Sequence, residues 1–184
     1  MIRRPLGTNL LRKYRRTYRV VLSEGKQEHT DPIKLSDFLL PTTPRFKQVR
    51  VYGIKYSIYP DARQSVNEDN SGATPTLVLA TRNPIEPNPD PETATFEQLQ
   101  NWTSSKIAAP LRPLHMYRKV PNSKTFYNGT PTTGDGFVPF SENIDTVWLR
   151  YYMAIPGMPD TQTAGYTVNI TLYTKWRHYQ DVDN

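Results

Sequence analysis

The chain contains no cysteine in 184 residues, which excludes disulfides, thiolate nucleophiles and zinc–sulfur sites. Its apolar runs are short, mostly of strand length, and none approaches the roughly 18 residues of a membrane helix, so no membrane insertion is expected. The first residues, Met1 to Gly7, are charged but lead into no apolar signal-peptide core, and secretion by that route is not expected. A Gly-rich phosphate loop and a Gly-x-Ser-x-Gly elbow are both missing. The three histidines, His29, His115 and His178, lie far apart with no ligand-type spacing, so neither a metal nor another cofactor is expected. Asp61, Glu68 and Asp69, and later Glu86, Asp90 and Glu92, cluster in expected loops, where such runs are usually solvated. Nothing favours a hydrolytic carboxylate pair. The expectation is a protein with no catalytic residues.

Acidic residues are also missing from residues 1–19, a segment that holds Arg3, Arg4, Arg12, Lys13, Arg15, Arg16 and Arg19. That is a local charge of +7 against a net charge of +6, so the rest of the chain is nearly neutral. A cationic extension on a neutral body is a common footprint of a polyanion binder. Arginine suits phosphate because its planar fork matches the oxygens and stacks on bases. Tyr14 and Tyr18 lie among the arginines; Tyr14 is the candidate for stacking unpaired bases, whereas Tyr18 reads more readily as part of the first strand, facing the core. Arg12 to Arg16 also suits a nuclear import signal.

The body is punctuated by 17 prolines, roughly twice the usual ~5% share. Residues 1–13 lack an apolar period and are expected to form a flexible arm. Residues 14–184 are expected to form one domain. Thr17 to Ser23 is rich in β-branched and aromatic residues and reads as a strand. Pro32 to Leu39 looks like a short helical turn. Residues 45–59 form a long strand whose apolar parity changes at Gly53, as at a β-bulge. A polar loop over 61–73 precedes a short strand over 74–81. The proline-rich residues 83–92 cannot join a regular ladder. A brief helix over 93–100 and short strands within 105–120, broken at Pro110 and Pro113, follow. Residues 128–136 read as a long loop.

The last fifty residues are the most regular. Val147, Leu149, Tyr151 and Met153 alternate with Thr146, Trp148, Arg150 and Tyr152. After a loop at 156–160, Tyr166, Val168, Ile170, Leu172 and Trp176 share one parity, and Thr167, Asn169, Thr171, Tyr173, Lys175 and Arg177 take the other. That is a strand with one buried and one polar face. About eight strands, long loops and little helix indicate an all-β sandwich or jelly-roll.

Several segments resemble the coat proteins of circoviruses and cycloviruses. They are Asp37-Phe38-Leu39-Leu40-Pro41, the strand ending Tyr56-Ser57-Ile58-Tyr59-Pro60, Trp102 to Ile107, Leu114 to Pro121, Val147-Trp148-Leu149-Arg150 with its proline-glycine loop, and Tyr166 to Tyr173. The likeness runs in element order over residues 14 to 180. It implies an eight-stranded viral jelly-roll and a T=1 icosahedral shell of about sixty copies with the basic arm inside. It also implies packaging of circular single-stranded DNA, entry into the host nucleus through import receptors, and an unknown cell-surface receptor for the virion. The arm is shorter and poorer in Lys and Arg than those of many members.

Sixty arms would supply roughly 420 positive charges, each offsetting about one phosphate. The coat gene alone takes about 550 nucleotides, so a genome that also encodes a replication protein would be well over twice the arm charge. Either mobile cations fill the gap or the inner wall contributes, with Lys175 and Arg177 on the polar face of the last strand as candidates. Deleting residues 1–16 is expected to abolish nucleic-acid content while largely sparing the fold. The alternative is a cellular, non-enzymatic β-sandwich that binds carbohydrate or RNA. In that reading Trp102, Trp148 and Trp176 would line a binding face, although core packing is the commoner fate of tryptophan.

Overall fold

In the computed structural model, the described residues are 10–23, 28–38, 48–61, 76–82, 95–120, 126–127, 130–131, 136–139, 147–156 and 163–177. They form eleven strands and one short helix. The strands are β1 (Leu10–Ser23), β2 (Glu28–Lys34), β3 (Gln48–Pro60), β4 (Leu77–Arg82), β5 (Lys106–Ala108), β6 (Leu114–Lys119), β7 (Phe126–Tyr127), β8 (Thr130–Pro131), β9 (Val138–Pro139), β10 (Val147–Ala154) and β11 (Thr163–Arg177); helix α1 is Phe96–Gln100.

Two antiparallel sheets carry the architecture. One runs β1-β11-β3-β6, with β9 added to the end of β3, and the other runs β2-β10-β4-β5. Successive long strands fall mostly in opposite sheets, and the last strand lies between the first and third. That is the wiring of a jelly-roll, and the chain is all-β as expected.

The core lies between the sheets. Val168, Ile170, Leu172 and Trp176 of β11 are buried along one parity, facing Leu149, Tyr151 and Met153 of β10 and Ile33 of β2. Burying each large aliphatic side chain contributes about 1.5–3 kcal/mol. In β3 the buried series Val49 and Val51 changes phase to Ile54, Tyr56 and Ile58. The β3–β11 register slips at this point, with Tyr173 opposite Gly53 and Thr174 opposite Val51. Tyr52 is the extra residue, so the bulge sits where the sequence places it.

Strand β10 is buried on both faces, which alternation alone does not reveal. Its second face, Tyr152 and Ala154, packs with Val78, Ala80 and Leu99 in a small cluster capped by Phe96 and Trp102. Helix α1 supplies that cover, and Thr95 caps it by accepting a hydrogen bond from the Gln98 amide at 3.3 Å.

Several expectations need correction. Residues 32–34, expected to open a helical turn, are the end of edge strand β2. Pro32 is tolerated there because an edge strand needs no donor on its outer side, and only Leu35–Asp37 form a 3-10 turn. Leu39 lies outside the described residues. Thr130–Pro131, within the expected loop, pairs with Phe126–Tyr127. The strand expected over 74–81 is Leu77–Arg82.

The arm boundary also moves. Leu10 to Lys13 are not an arm but the start of β1, registered against Trp176 to Tyr173 of β11. Leu10, Tyr14 and Tyr18, spaced four residues apart on one face of that strand, pack on the core. Deleting residues 1–16 would therefore strip half of β1 from β11 and would not spare the fold. Of the three tryptophans in the carbohydrate reading, Trp148 and Trp176 are fully buried, which removes them from any binding face.

Candidate nucleic-acid interface

The β1-β11-β3-β6 sheet has one face against the core and one turned outward. Strand register fixes which residues share the outward face, because side chains alternate along each strand. One row reads Arg15, Thr171, Lys55 and Tyr117 across the four strands, and the next reads Lys13, Tyr173, Gly53 and Lys119. On the other side of the Arg15 row lie Thr17, Asn169, Ser57 and His115. Arg15 and Lys55 are two strand spacings apart, about 10 Å, with only Thr171 between them.

These rows enclose a shallow depression of about 380 Å3 whose lining includes Lys13, Arg15, Lys55, Tyr59, Asn169 and Tyr173. Among the described residues no carboxylate pairs with Lys13, Arg15 or Lys55. The Lys13 ammonium lies 5.4 Å from the Tyr173 ring centre, and that of Lys175 lies 5.7 Å from the Tyr52 ring. The face thus collects positive charge that the described part of the fold does not neutralise.

Aromatic side chains interleave with this charge. Tyr117 is 53% exposed and meets Tyr173 edge-on, with ring centres 5.9 Å apart. Tyr59 is 42% exposed and meets His115 in the same manner at 5.6 Å. Tyr117 lies over Gly53, where any Cβ would collide with its phenol, so the bulge glycine creates the seat for this ring. Partial desolvation, followed by the proximity of Tyr52 and Tyr173, raises the Tyr117 phenol above its usual pKa. The ring therefore stays neutral near physiological pH.

The structure sorts the candidate residues into separate groups. Arg3 and Arg4 lie outside the described residues. Arg12, Lys13 and Arg15 are exposed on β1. Lys175 and Arg177 share the outward face of β11, where the Arg177 Nε donates to Gln48 Oε1 at 2.5 Å and its guanidinium lies 4.0 Å from the Phe137 ring. Tyr14, by contrast, turns toward the core and packs edge-on against Trp176, centres 6.1 Å apart.

Two arginines are already engaged. Arg16 reaches Asp31 at 3.1 Å and Asp37 at 3.5 Å. The Tyr18 hydroxyl donates to the same Asp31 carboxylate at 2.8 Å and also meets the Tyr151 hydroxyl. This network ties β1 to β2, the two strands at the same edge of the sandwich. Arg19 pairs with Asp61 at 2.6 Å, and Asp61 also accepts from Thr167 Oγ1 at 3.0 Å. Asp61 is therefore a tether and not a solvated loop acid as expected; Glu68, Asp69, Glu86, Asp90 and Glu92 lie outside the described residues.

Lys55, Tyr59, His115, Tyr117, Lys119 and Tyr173 were not among the candidates. Their polar parity was visible within each strand. What the sequence did not show is that β3 and β6 lie beside β11 in one sheet, which turns four separate patterns into one surface.

No protein-family model and no curated protein sequence matches the chain. The class that the sheets define is the jelly-roll. The fold is similar to the capsid protein of beak and feather disease virus, a circovirus, in its decameric crystal structure: TM-score 0.65, 16% identity, covering 92% of this chain and 99% of that one. The 60-mer form of the same capsid protein gives TM-score 0.65 at 15% identity, over 97% and 98%. A virus-like particle of the giant freshwater prawn Macrobrachium rosenbergii nodavirus gives TM-score 0.57 at 10% identity, over 97% and 98%. The chain therefore shares the jelly-roll fold of these capsid proteins.

Proposed function

We propose that this chain is a viral coat protein, a structural subunit and not an enzyme. The observation that carries the reading is the fold match over nearly the full length of both chains to a capsid protein solved as decamer and 60-mer. In this reading about sixty copies close into a T=1 shell around circular single-stranded DNA. Arg3 and Arg4 add to the charge of Arg12, Lys13 and Arg15, so the capturing surface begins in the N-terminal segment and continues onto the sheet face. Arg12 to Arg16 lie in β1, so their use as a nuclear import signal requires access before or during folding. The mature particle is the virion, assembled in the host nucleus, and it meets a host cell-surface receptor.

Collective capture supplies the physical logic. One chain neutralises few phosphates and binds weakly, but a closed shell brings many such surfaces to one polyanion at high effective concentration. The test is removal of residues 1–9 alone, which leaves β1 intact. The reading expects uniform shells in negative-stain images, with a reduced but nonzero nucleic-acid content measured by absorbance ratio. Full-length protein that forms no shells would sink it.

A further inference from the structure

We infer that the outward face of the β1-β11-β3-β6 sheet is a stacking platform for unpaired bases, with Tyr59 and Tyr117 contacting bases while Lys13, Arg15 and Lys55 take the phosphates. The inference rests on the coat-protein reading for its claim that a nucleic acid is the ligand. It goes further by assigning a site on the folded body and a preference for single strands.

Three observations support it together. First, the rings of Tyr59 and Tyr117 on this face are each about half exposed. Second, each ring is held in place by one edge-on aromatic neighbour, His115 for Tyr59 and Tyr173 for Tyr117. A T-shaped contact uses one edge and one face of the two rings, so open ring faces remain at each pair. Third, among the described residues the charges in the rows of Lys13, Arg15 and Lys55 are basic, and Asp61, beside Tyr59, is bound to Arg19.

The dimensions fit a short stretch of single strand. Lys55 lies opposite Tyr117, and Tyr59 is four residues further along β3. The two rings are thus rooted about 14 Å apart along the strands, the length of roughly four stacked nucleotides at ~3.4 Å each. Lys55 and Arg15 lie in the Tyr117 row, one and three strands away from that ring. In a duplex every base face is covered by its neighbours, so only phosphates and groove edges would reach this surface. Stacking on tyrosine is available to unpaired bases alone and needs no particular sequence. DNA and RNA share that chemistry.

The test uses full-length protein stripped of bound nucleic acid, with fluorescence anisotropy at one fixed salt concentration. The probes are a 20-nucleotide oligothymidylate, the matching oligouridylate and a 20-base-pair duplex. Replacing both rings (Tyr59→Leu with Tyr117→Leu) is expected to weaken single-strand binding by at least about tenfold and duplex binding by less than about twofold. The slope of log affinity against log salt should stay the same, since no charge is lost. The pair Tyr59→Phe with Tyr117→Phe should bind as the wild type does. Equal losses for single strand and duplex, no loss, or a Phe pair as weak as the Leu pair would overturn the inference.

Ultraviolet cross-linking of wild-type protein to an iodouracil-substituted oligonucleotide gives a readout independent of mutant folding. Adducts are expected at Tyr59 or Tyr117, and adducts confined to other residues would overturn the platform. The arms separate the two claims. Shells that form and bind single strand and duplex equally sink the platform and leave the coat reading standing. A wild-type chain that neither assembles nor binds any probe sinks both.

Discussion

The basic residues of β1 and Lys55 of β3 look alike in sequence, yet among the described residues some pair with a carboxylate and others do not, and salt dependence measures that division. Consider a triple variant, Lys13→Gln, Arg15→Gln and Lys55→Gln, against a double variant, Arg16→Gln and Arg19→Gln. For single strands each phosphate contact contributes about 0.7 to the slope of log affinity against log salt. The triple variant should therefore lower the slope by up to about 2, because these three side chains pair with no described carboxylate. In the double variant, Arg16 was already held by Asp31 and Asp37, and Arg19 by Asp61. Its slope should change by less than about 0.5.

Stability should move the opposite way. Arg16 is a partly buried, charge-assisted partner of Asp31, with side chains 29% and 17% exposed, and its loss should cost about 1.5–3 kcal/mol. Arg19 is 62% exposed, and such a pair contributes about 0–1 kcal/mol. The assay is anisotropy titration from low to moderate salt, paired with urea unfolding of each variant. A double variant that flattens the salt slope as much as the triple would refute the division of roles.

Other consequences follow from the same contacts. Asp31→Ala removes the acceptor of both Arg16 and the Tyr18 hydroxyl and should cost about 2–4 kcal/mol in chemical denaturation; a loss below about 0.5 kcal/mol would contradict the network. Gly53→Ala should push Tyr117 off its seat, lowering single-strand affinity with a stability loss of about 1 kcal/mol or less. Burial, the largest influence, depresses the His29 pKa, so below about pH 6.5 the unfolded chain takes up a proton that the folded chain resists. Stability should therefore fall as pH drops from about 7 toward 5. His29→Gln should remove part of that slope, and an unchanged slope would count against the assignment.

How far the sequence could be read is clearest strand by strand. The parity of β11 and the phase change at Gly53 were legible because they are local, two-residue patterns. Trp176 was legible as core for the same reason. The start of β1 was not: in Leu10-Arg12-Tyr14-Arg16-Tyr18 the core-side positions alternate between hydrophobic and charged residues, which reads as a basic arm. Arg16 occupies an inward position because Asp31 and Asp37 meet it there, and no spacing in the sequence announces that pairing. The proposed binding face was hidden for a related reason, since it exists only after β3 and β6 have been placed beside β11. The residues were visible, but their neighbours were not.

The central claim is that many copies of this fold close around a polyanion, and particle mass tests it directly. Mass photometry of full-length protein with a circular single-stranded DNA should show one narrow species near sixty times the 21.2 kDa chain, roughly 1.3 MDa plus its nucleic acid. A single species at the mass of one chain, unchanged by added DNA, would contradict it.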